Sequence, residues 1–342
     1  MTLLSSVTIY FGLFLASFLG TKLYIGYARK NAILDIPNMR SSHTIPTPRG
    51  GGIVFVSLFL LSICFFALSY PQQAPLWSSL LGGGTLIATI GWIDDRKNLP
   101  ARTRLLVHAL AVLWTLFNNG GLPSLFMGKY HVSLGAFGYV LGLIGGIWLI
   151  NLYNFMDGVD GLAAGEAVLV ASAGAFLTLG TSTSFALFTL AALVLGFLLW
   201  NWSPAKVFMG DTGSGFLGFA FFCFALYSEN TNTMSLLVWA VLISVFVVDA
   251  TLTLIMRARQ RKRLSEAHRD HLYHQFLKAG FKHAAVTTST LSLSFCISLA
   301  TFFLSQFVFL LFIATYGLLG VIWMLLYYRF SSGAREREGR VT

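Results

Sequence analysis

Five of the thirteen acidic residues in this chain fall in three short stretches. Asp94 and Asp95 lie in "GWIDDRKNLP", Asp157 and Asp160 in "NLYNFMDGVDGLA", and Asp211 in "NWSPAKVFMGDTGSGFLG". Two carboxylates about 4 Å apart repel by roughly 4 kcal/mol at an effective dielectric near 20, so gathering them calls for a cation. Oxygen donors, one or two carboxylates and phosphate to complete the shell describe a magnesium site. The glycines beside them point to an anion. "GDTGSG" runs straight into an apolar segment and would offer free backbone N–H groups at a helix start. "PTPRGGG", Pro46 to Gly52, would do the same beside Arg49, with glycine letting a phosphate approach. One aspartate alone reads equally well as a helix cap. Three groups together suggest metal and phosphate at a membrane surface, the chemistry of phosphoryl transfer to or from a lipid.

The elements that must carry these groups are membrane helices. Hydrophobic residues make up 56% of the 342 and charged residues 11%, where a soluble domain carries about a quarter charged. Mean hydropathy is +0.73. Eleven apolar runs, near 3–24, 51–70, 76–93, 103–118, 134–153, 161–180, 184–200, 213–228, 235–256, 284–304 and 307–328, suit a bilayer core. They lack strand alternation, so the expected fold is all-α and polytopic, with about 11 transmembrane helices in a single domain over 1–342. The first run has no basic residue before it and reads as a retained span. A tight hairpin is expected around Ser305 and Gln306.

Every lysine and arginine except Lys129 falls in the loops after odd-numbered runs, at their ends, or in the C-terminal tail. The positive-inside rule then puts the N-terminus on the periplasmic side and the C-terminus in the cytoplasm. The net charge of +10 is thus mainly a topology signal; the expected surroundings are a lipid bilayer, with no nucleic acid. The active-site loops, near 27–50, 94–102, 151–160, 201–212 and 257–283, all fall on the cytoplasmic side. Cys64, Cys223 and Cys296 lie in apolar runs and read as packing residues.

The ordered set "RSSHTIPTPRGGG", "IDDRKNLP", "NLYNFMDGVDGLA", "AKVFMGDTGSG" and "HRDHLYHQ" resembles the polyprenyl-phosphate N-acetylhexosamine-1-phosphate transferases over about Asp35 to His274. "DIPNMRSSH" and "NLYNFMDG" are most similar to the branch that initiates O-antigen synthesis. The resemblance implies a multi-pass enzyme of the bacterial inner membrane with its active site facing the cytoplasm. It would use Mg2+, with Mn2+ as a substitute, to move a sugar-1-phosphate from a UDP-N-acetylhexosamine to undecaprenyl phosphate and release UMP. A homodimer is a candidate assembly. By the same resemblance Asp94 and Asp95 match the paired catalytic aspartates, Asp211 the direct metal ligand, and Asn154, Asp157 and Asp160 the nucleotide loop. His271 and His274 match two positions of a histidine-rich loop. Tyr273 stands where relatives carry histidine, and Asn98 where one variant carries a third acid.

Further expectations follow from the residues. Asp157 and Asp160, at i and i+3, would share a face of a helix start and receive the nucleotide. Asp94 would take a proton from the lipid phosphate, while Asp211, with Asp94 or Asp95, holds the metal. Arg49, Lys206, Arg269, His271 and His274 would bring positive charge to the diphosphate. Leu272, Phe276 and Leu277 form an apolar stripe, so 257–283 should contain an interfacial helix; zinc on its histidines is disfavoured. Asp249 is expected to have a structural partner. The apolar face of Tyr273 would favour 6-deoxy sugars. Two other readings are weaker. A CDP-alcohol phosphatidyltransferase would need acids where Thr178 and Ser182 stand, and a secondary transporter would place its ionisable groups near mid-membrane in repeated halves.

Overall fold

The structure, a computed structural model, describes residues 3–37, 45–127, 130–263 and 268–338. Arg40 and the rest of "RSSH", Lys129, Arg340 and residues 264–267 lie outside them. The chain opens with α1 (Leu3–Lys30) and a short antiparallel pair, β1 (Leu34–Asp35) and β2 (Thr47–Pro48). Helices α2 (Ile53–Ser69) and α3 (Ala74–Ser78) follow, then a π-helical turn (Ser79–Gly83), α4 (Gly84–Lys97) and α5 (Ala101–Asn119). A hairpin of β3 (Ser124–Met127) and β4 (Tyr130–Ser133) leads to α6 (Phe137–Met156), α7 (Leu162–Leu177), α8 (Ser182–Asn201) and α9 (Gly210–Asn230). The remainder is α10 (Leu236–Leu242), α11 (Ser244–Arg259), α12 (Leu272–Lys278), α13 (His283–Leu304) and α14 (Val308–Glu338).

Each of the eleven apolar runs falls on helix. Among the described residues, five helices are long and apolar enough to cross a membrane, or six if α10 and α11 count as one broken span. The run 235–256 is not the straight helix its hydropathy suggests. It bends by 77° at Ile243, whose ψ of 5° leaves the helical region. The α13–α14 hairpin turns at Ser305–Phe307, where expected. With its many apolar helices the chain is a mostly helical membrane protein.

Helix α9 is the central post. Phe216, Phe219, Phe221 and Phe224 on it are fully buried, and it packs on α4 and α6. Lipid gives helices little hydrophobic reason to associate, so close packing of small residues does more of the work. A Cβ on Gly52 would meet Gly213 Cα at 2.6 Å, and one on Gly218 would meet the Leu149 carbonyl at 2.5 Å. At about 1.5 Å per residue, the 21 residues of α9 rise roughly 31 Å, close to a bilayer core of about 30 Å. Its far end holds the β3–β4 hairpin. Glu229 accepts from the N–H groups of Phe126 and Leu236. Asn230 Nδ2 donates to the carbonyls of Asn119 and Gly121, each at 2.8 Å.

Candidate active site

The near end of α9 gathers the acids. Asp94 and Asp95 close α4, Asn154 lies in the last turn of α6, and Asp211 is the second residue of α9. Arg104, in the first turn of α5, donates through Nη1 to Asp94 Oδ2 at 2.8 Å and to Asp211 Oδ2 at 2.7 Å. Asn154 Nδ2 reaches the same Asp211 oxygen at 3.3 Å, and Ser214 Oγ donates to Asn154 Oδ1 at 2.9 Å. Three loops distant in sequence thus meet through direct hydrogen bonds.

Adjacent residues on a helix point about 100° apart, and the two aspartates of α4 do different things. Asp95 Oδ1 accepts from Arg49 Nη2 at 3.2 Å and from Asp211 N at 3.0 Å. Its Oδ2 accepts from Thr212 N at 3.2 Å and Thr212 Oγ1 at 2.8 Å. A carboxylate offers about four acceptor sites, and all are taken, with the side chain 1% exposed. Asp95 therefore caps α9 from outside that helix, and the metal-ligand role expected for it has no lone pair left. The same bonds correct the expectation of free N–H groups at "GDTGSG", since those of Asp211 and Thr212 are already satisfied. In "PTPRGGG", Gly51 N and Gly52 N donate to the carbonyls of Phe208 and Met209, each at 2.9 Å. The glycines serve backbone-to-backbone packing. Gly210 has φ of +75°, and a Cβ there would lie 2.5 Å from both Asp95 oxygens.

Asp94 keeps acceptor capacity, with Leu99 N on Oδ1 and Arg104 on Oδ2. Its neighbour Asn98 ends α4 in the left-handed region, a conformation asparagine tolerates. Asp157 follows α6, and its carboxyl accepts no hydrogen bond among the described residues. Burial, then repulsion from Asp211, Asp95 and Asp160, raises its pKa well above the ordinary carboxylate value. Asp160 lies in the loop before α7, so the two do not share a helix face. It pairs with His283 Nδ1 at 3.3 Å and accepts from Ala205 N at 3.2 Å. Burial pushes its pKa up, but His283 and the Ala205 N–H outweigh that and lower it.

Three carboxyl groups here, Asp94, Asp95 and Asp211, pair with two guanidinium groups, Arg49 and Arg104, and Asp157 adds a fourth carboxyl that neither pairs with. No three or more His, Cys, Asp or Glu among the described residues form a metal cage by themselves. Asp94 and Asp211 suit a hard cation that keeps one or two carboxylates and draws its other ligands from water and phosphate, as Mg2+ does.

The remaining candidates are dispersed. Lys206 is exposed, with its ammonium 5.1 Å from the centre of the Trp200 ring. Arg269 and His274 line a cavity of about 340 Å³ together with Lys278 and His283. His271 is buried, with Nδ1 unpartnered, and its ring lies 4.9 Å from that of His268. Burial lowers the pKa of His271, against the pull of Asp249 and Asp270. Burial, then His271, Arg269, Lys278 and His268, lowers His274 to about 3. The lowering on burial runs against the positive charge expected of these two histidines. Tyr273 is 4% exposed, and its hydroxyl donates to the Phe155 carbonyl at 2.6 Å. Its face is spent on docking α12 and does not await a sugar. Asp249 caps that helix, accepting from Leu272 N at 2.9 Å and Trp323 Nε1 at 2.8 Å. Arg104, Thr212 and His283 were not singled out from sequence. Arg104 could have been found as a base just inside an apolar run, ten residues after Asp94.

The glycosyl transferase family 4 profile matches residues 77–229, a span that includes Asp94, Asn154 and Asp211. The undecaprenyl-phosphate alpha-N-acetylglucosaminyl 1-phosphate transferase of Escherichia coli O157:H7 is 32% identical, over 77% of this chain and 75% of that protein. Its Salmonella typhi counterpart is 34% identical over 77% and 75%. The probable undecaprenyl-phosphate N-acetylglucosaminyl 1-phosphate transferase of Bacillus subtilis (strain 168) is 28% identical over 75% and 73%. The carboxylate cluster around Arg104 and these relatives agree: the chain belongs to glycosyl transferase family 4, among the polyprenyl-phosphate N-acetylhexosamine-1-phosphate transferases.

Proposed function

We propose that this protein transfers an N-acetylhexosamine-1-phosphate from a UDP-sugar to undecaprenyl phosphate and releases UMP. The reaction would open the synthesis of a lipid-linked surface polysaccharide such as O-antigen. The observation that carries this reading is the meeting of Asp94, Asn154 and Asp211 around Arg104, in a chain whose relatives are named for that transfer. The setting is the bacterial inner membrane, with eleven spans, a periplasmic N-terminus and the carboxylates on the cytoplasmic side. The distribution of basic residues supports that orientation.

An oxygen of the lipid phosphate attacks the β-phosphorus of the donor. The bond from that phosphorus to the bridging oxygen breaks, and UMP leaves with the electron pair. With a second phosphate pKa of about 6, the lipid phosphate has mostly lost its last proton at neutral pH, and Asp94 would take it from the fraction that still carries one. Asp157, whose carboxyl accepts no hydrogen bond among the described residues, would accept from a ribose hydroxyl or the uracil N–H. It holds its proton to a higher pH than an ordinary carboxylate. Asn154 orients Asp211, and Asp95 fixes the start of α9. A magnesium ion held by Asp211 and Asp94 would shield the diphosphate charge and ease departure of UMP.

The test is to incubate purified protein and undecaprenyl phosphate with a panel of UDP-N-acetylhexosamines and measure UMP. Release that depends on both substrates is expected. No UMP from any donor, in protein that remains folded, sinks the proposal, and CMP from a CDP-alcohol would favour the phosphatidyltransferase reading.

A further inference from the structure

We infer that Arg104 is a displaceable counter-ion, holding Asp94 and Asp211 together until a divalent cation takes its place and then turning to the donor phosphates. This rests on the assignment of metal to Asp211 and Asp94 above. One nitrogen, Nη1, lies 2.8 Å from Asp94 Oδ2 and 2.7 Å from Asp211 Oδ2. Those are the lengths of charge-assisted hydrogen bonds. Magnesium binds oxygen at about 2.0–2.1 Å, so an ion shared by the same two oxygens would fill the space Nη1 occupies. An arginine does not give up its proton, so it cannot make way by becoming neutral. It has to move.

The surroundings permit that movement. The Arg104 side chain is 31% exposed, unlike that of Asp95 beneath it. Each carboxylate also keeps a second tether: Leu99 N holds Asp94 Oδ1, and Asn154 Nδ2 holds Asp211 Oδ2. The site therefore survives the departure of the guanidinium. Once released, the group stays beside the metal, where the diphosphate of a UDP-sugar must lie, and its fork matches phosphate oxygens. Arg49 cannot play this part, because its partner Asp95 accepts four hydrogen bonds and contributes none to the metal.

The test is Mn2+ binding to full-length protein in detergent, followed by electron paramagnetic resonance of the free ion without substrates. Wild type, Arg104→Met, Arg104→Lys and Asp211→Asn are compared, with thermal unfolding as the check on fold. Removing a fixed positive charge that competes for two oxygens should tighten Mn2+ by about tenfold or more in Arg104→Met. Arg104→Lys, which keeps the charge, should stay near wild type. UMP release by Arg104→Met should nonetheless fall, mainly through a higher KM for the UDP-sugar. If Arg104 is only a clamp, Arg104→Met will bind Mn2+ no better than wild type, or worse, and the inference is overturned. If Arg104→Met does not fold, Arg104→Gln takes the same comparison. A failure of the underlying assignment looks different: wild type would then show no Mn2+ binding that Asp211→Asn removes.

Discussion

Two aspartates on one helix show how much a single register position decides. Asp94 and Asp95 are identical in type and adjacent, and nothing local in the sequence distinguishes a reacting group from a cap. The distinction comes mainly from partners on α9, more than a hundred residues away, which fill three acceptor sites of Asp95, with Arg49 on the fourth. Opposite phenotypes follow. Asp211→Asn should abolish UMP release, by at least about a hundredfold through loss of several kcal/mol of transition-state stabilisation, while its melting temperature stays close to wild type. Asp95→Ala should lower the melting temperature sharply. It strands the buried N–H groups of α9 and the Arg49 guanidinium, a cost of about 3 kcal/mol or more. Detergent-phase thermal unfolding beside an activity assay separates the two. At the edge of the apolar run 103–118, Arg104 reads in the sequence only as part of the inside charge.

At the scale of elements, α12 is where sequence and structure diverge most. An interfacial helix was legible from Leu272, Phe276 and Leu277. That Tyr273 faces inward was not, because its partner is a backbone carbonyl at Phe155, and a carbonyl leaves no trace in residue type. The same applies to Asp160: "DGVDG" reads as a helix start, but the chain stays irregular until Leu162 and His283 takes the carboxylate. The histidines of this segment supply a pH test. Burial, reinforced by neighbouring cations, lowers His268 to about 4 and His274 to about 3, whereas an unfolded histidine titrates near 6.5. A depressed folded-state pKa means the contribution is present above about pH 6.5 and is lost progressively as pH falls towards the folded value. Protection factors in 268–283, that is exchange rates corrected for the intrinsic pH dependence of amide exchange, should therefore fall between pH 6.5 and 4, and His274→Gln should flatten that dependence. Protection that holds or rises on acidification would contradict the burial argument.

For the whole molecule, the apolar runs mark where helix forms, while five helices, or six with α10 and α11 as one broken span, are long and apolar enough to cross a membrane among the described residues. The 77° break between α10 and α11 stayed hidden, since a bent segment can be as apolar as a straight one. The structure places the carboxylates and the β3–β4 hairpin at opposite ends of α9, which gives the proposed topology a direct check. In a cysteine-free background, Lys97→Cys should be shielded from a membrane-impermeant thiol reagent in intact cells, and Pro123→Cys should react. The reverse pattern would invert the protein and move the active site out of reach of cytoplasmic nucleotide sugars.

The hairpin itself has a practical consequence. Its exposed residues His131, Val132 and Ser133 are tied through Glu229 to the post whose other end bears Asp211. An antibody fragment raised against that hairpin would bind at the end of α9 opposite the carboxylates. It would add mass and an orientation marker for electron cryomicroscopy while leaving the reacting end open to both substrates.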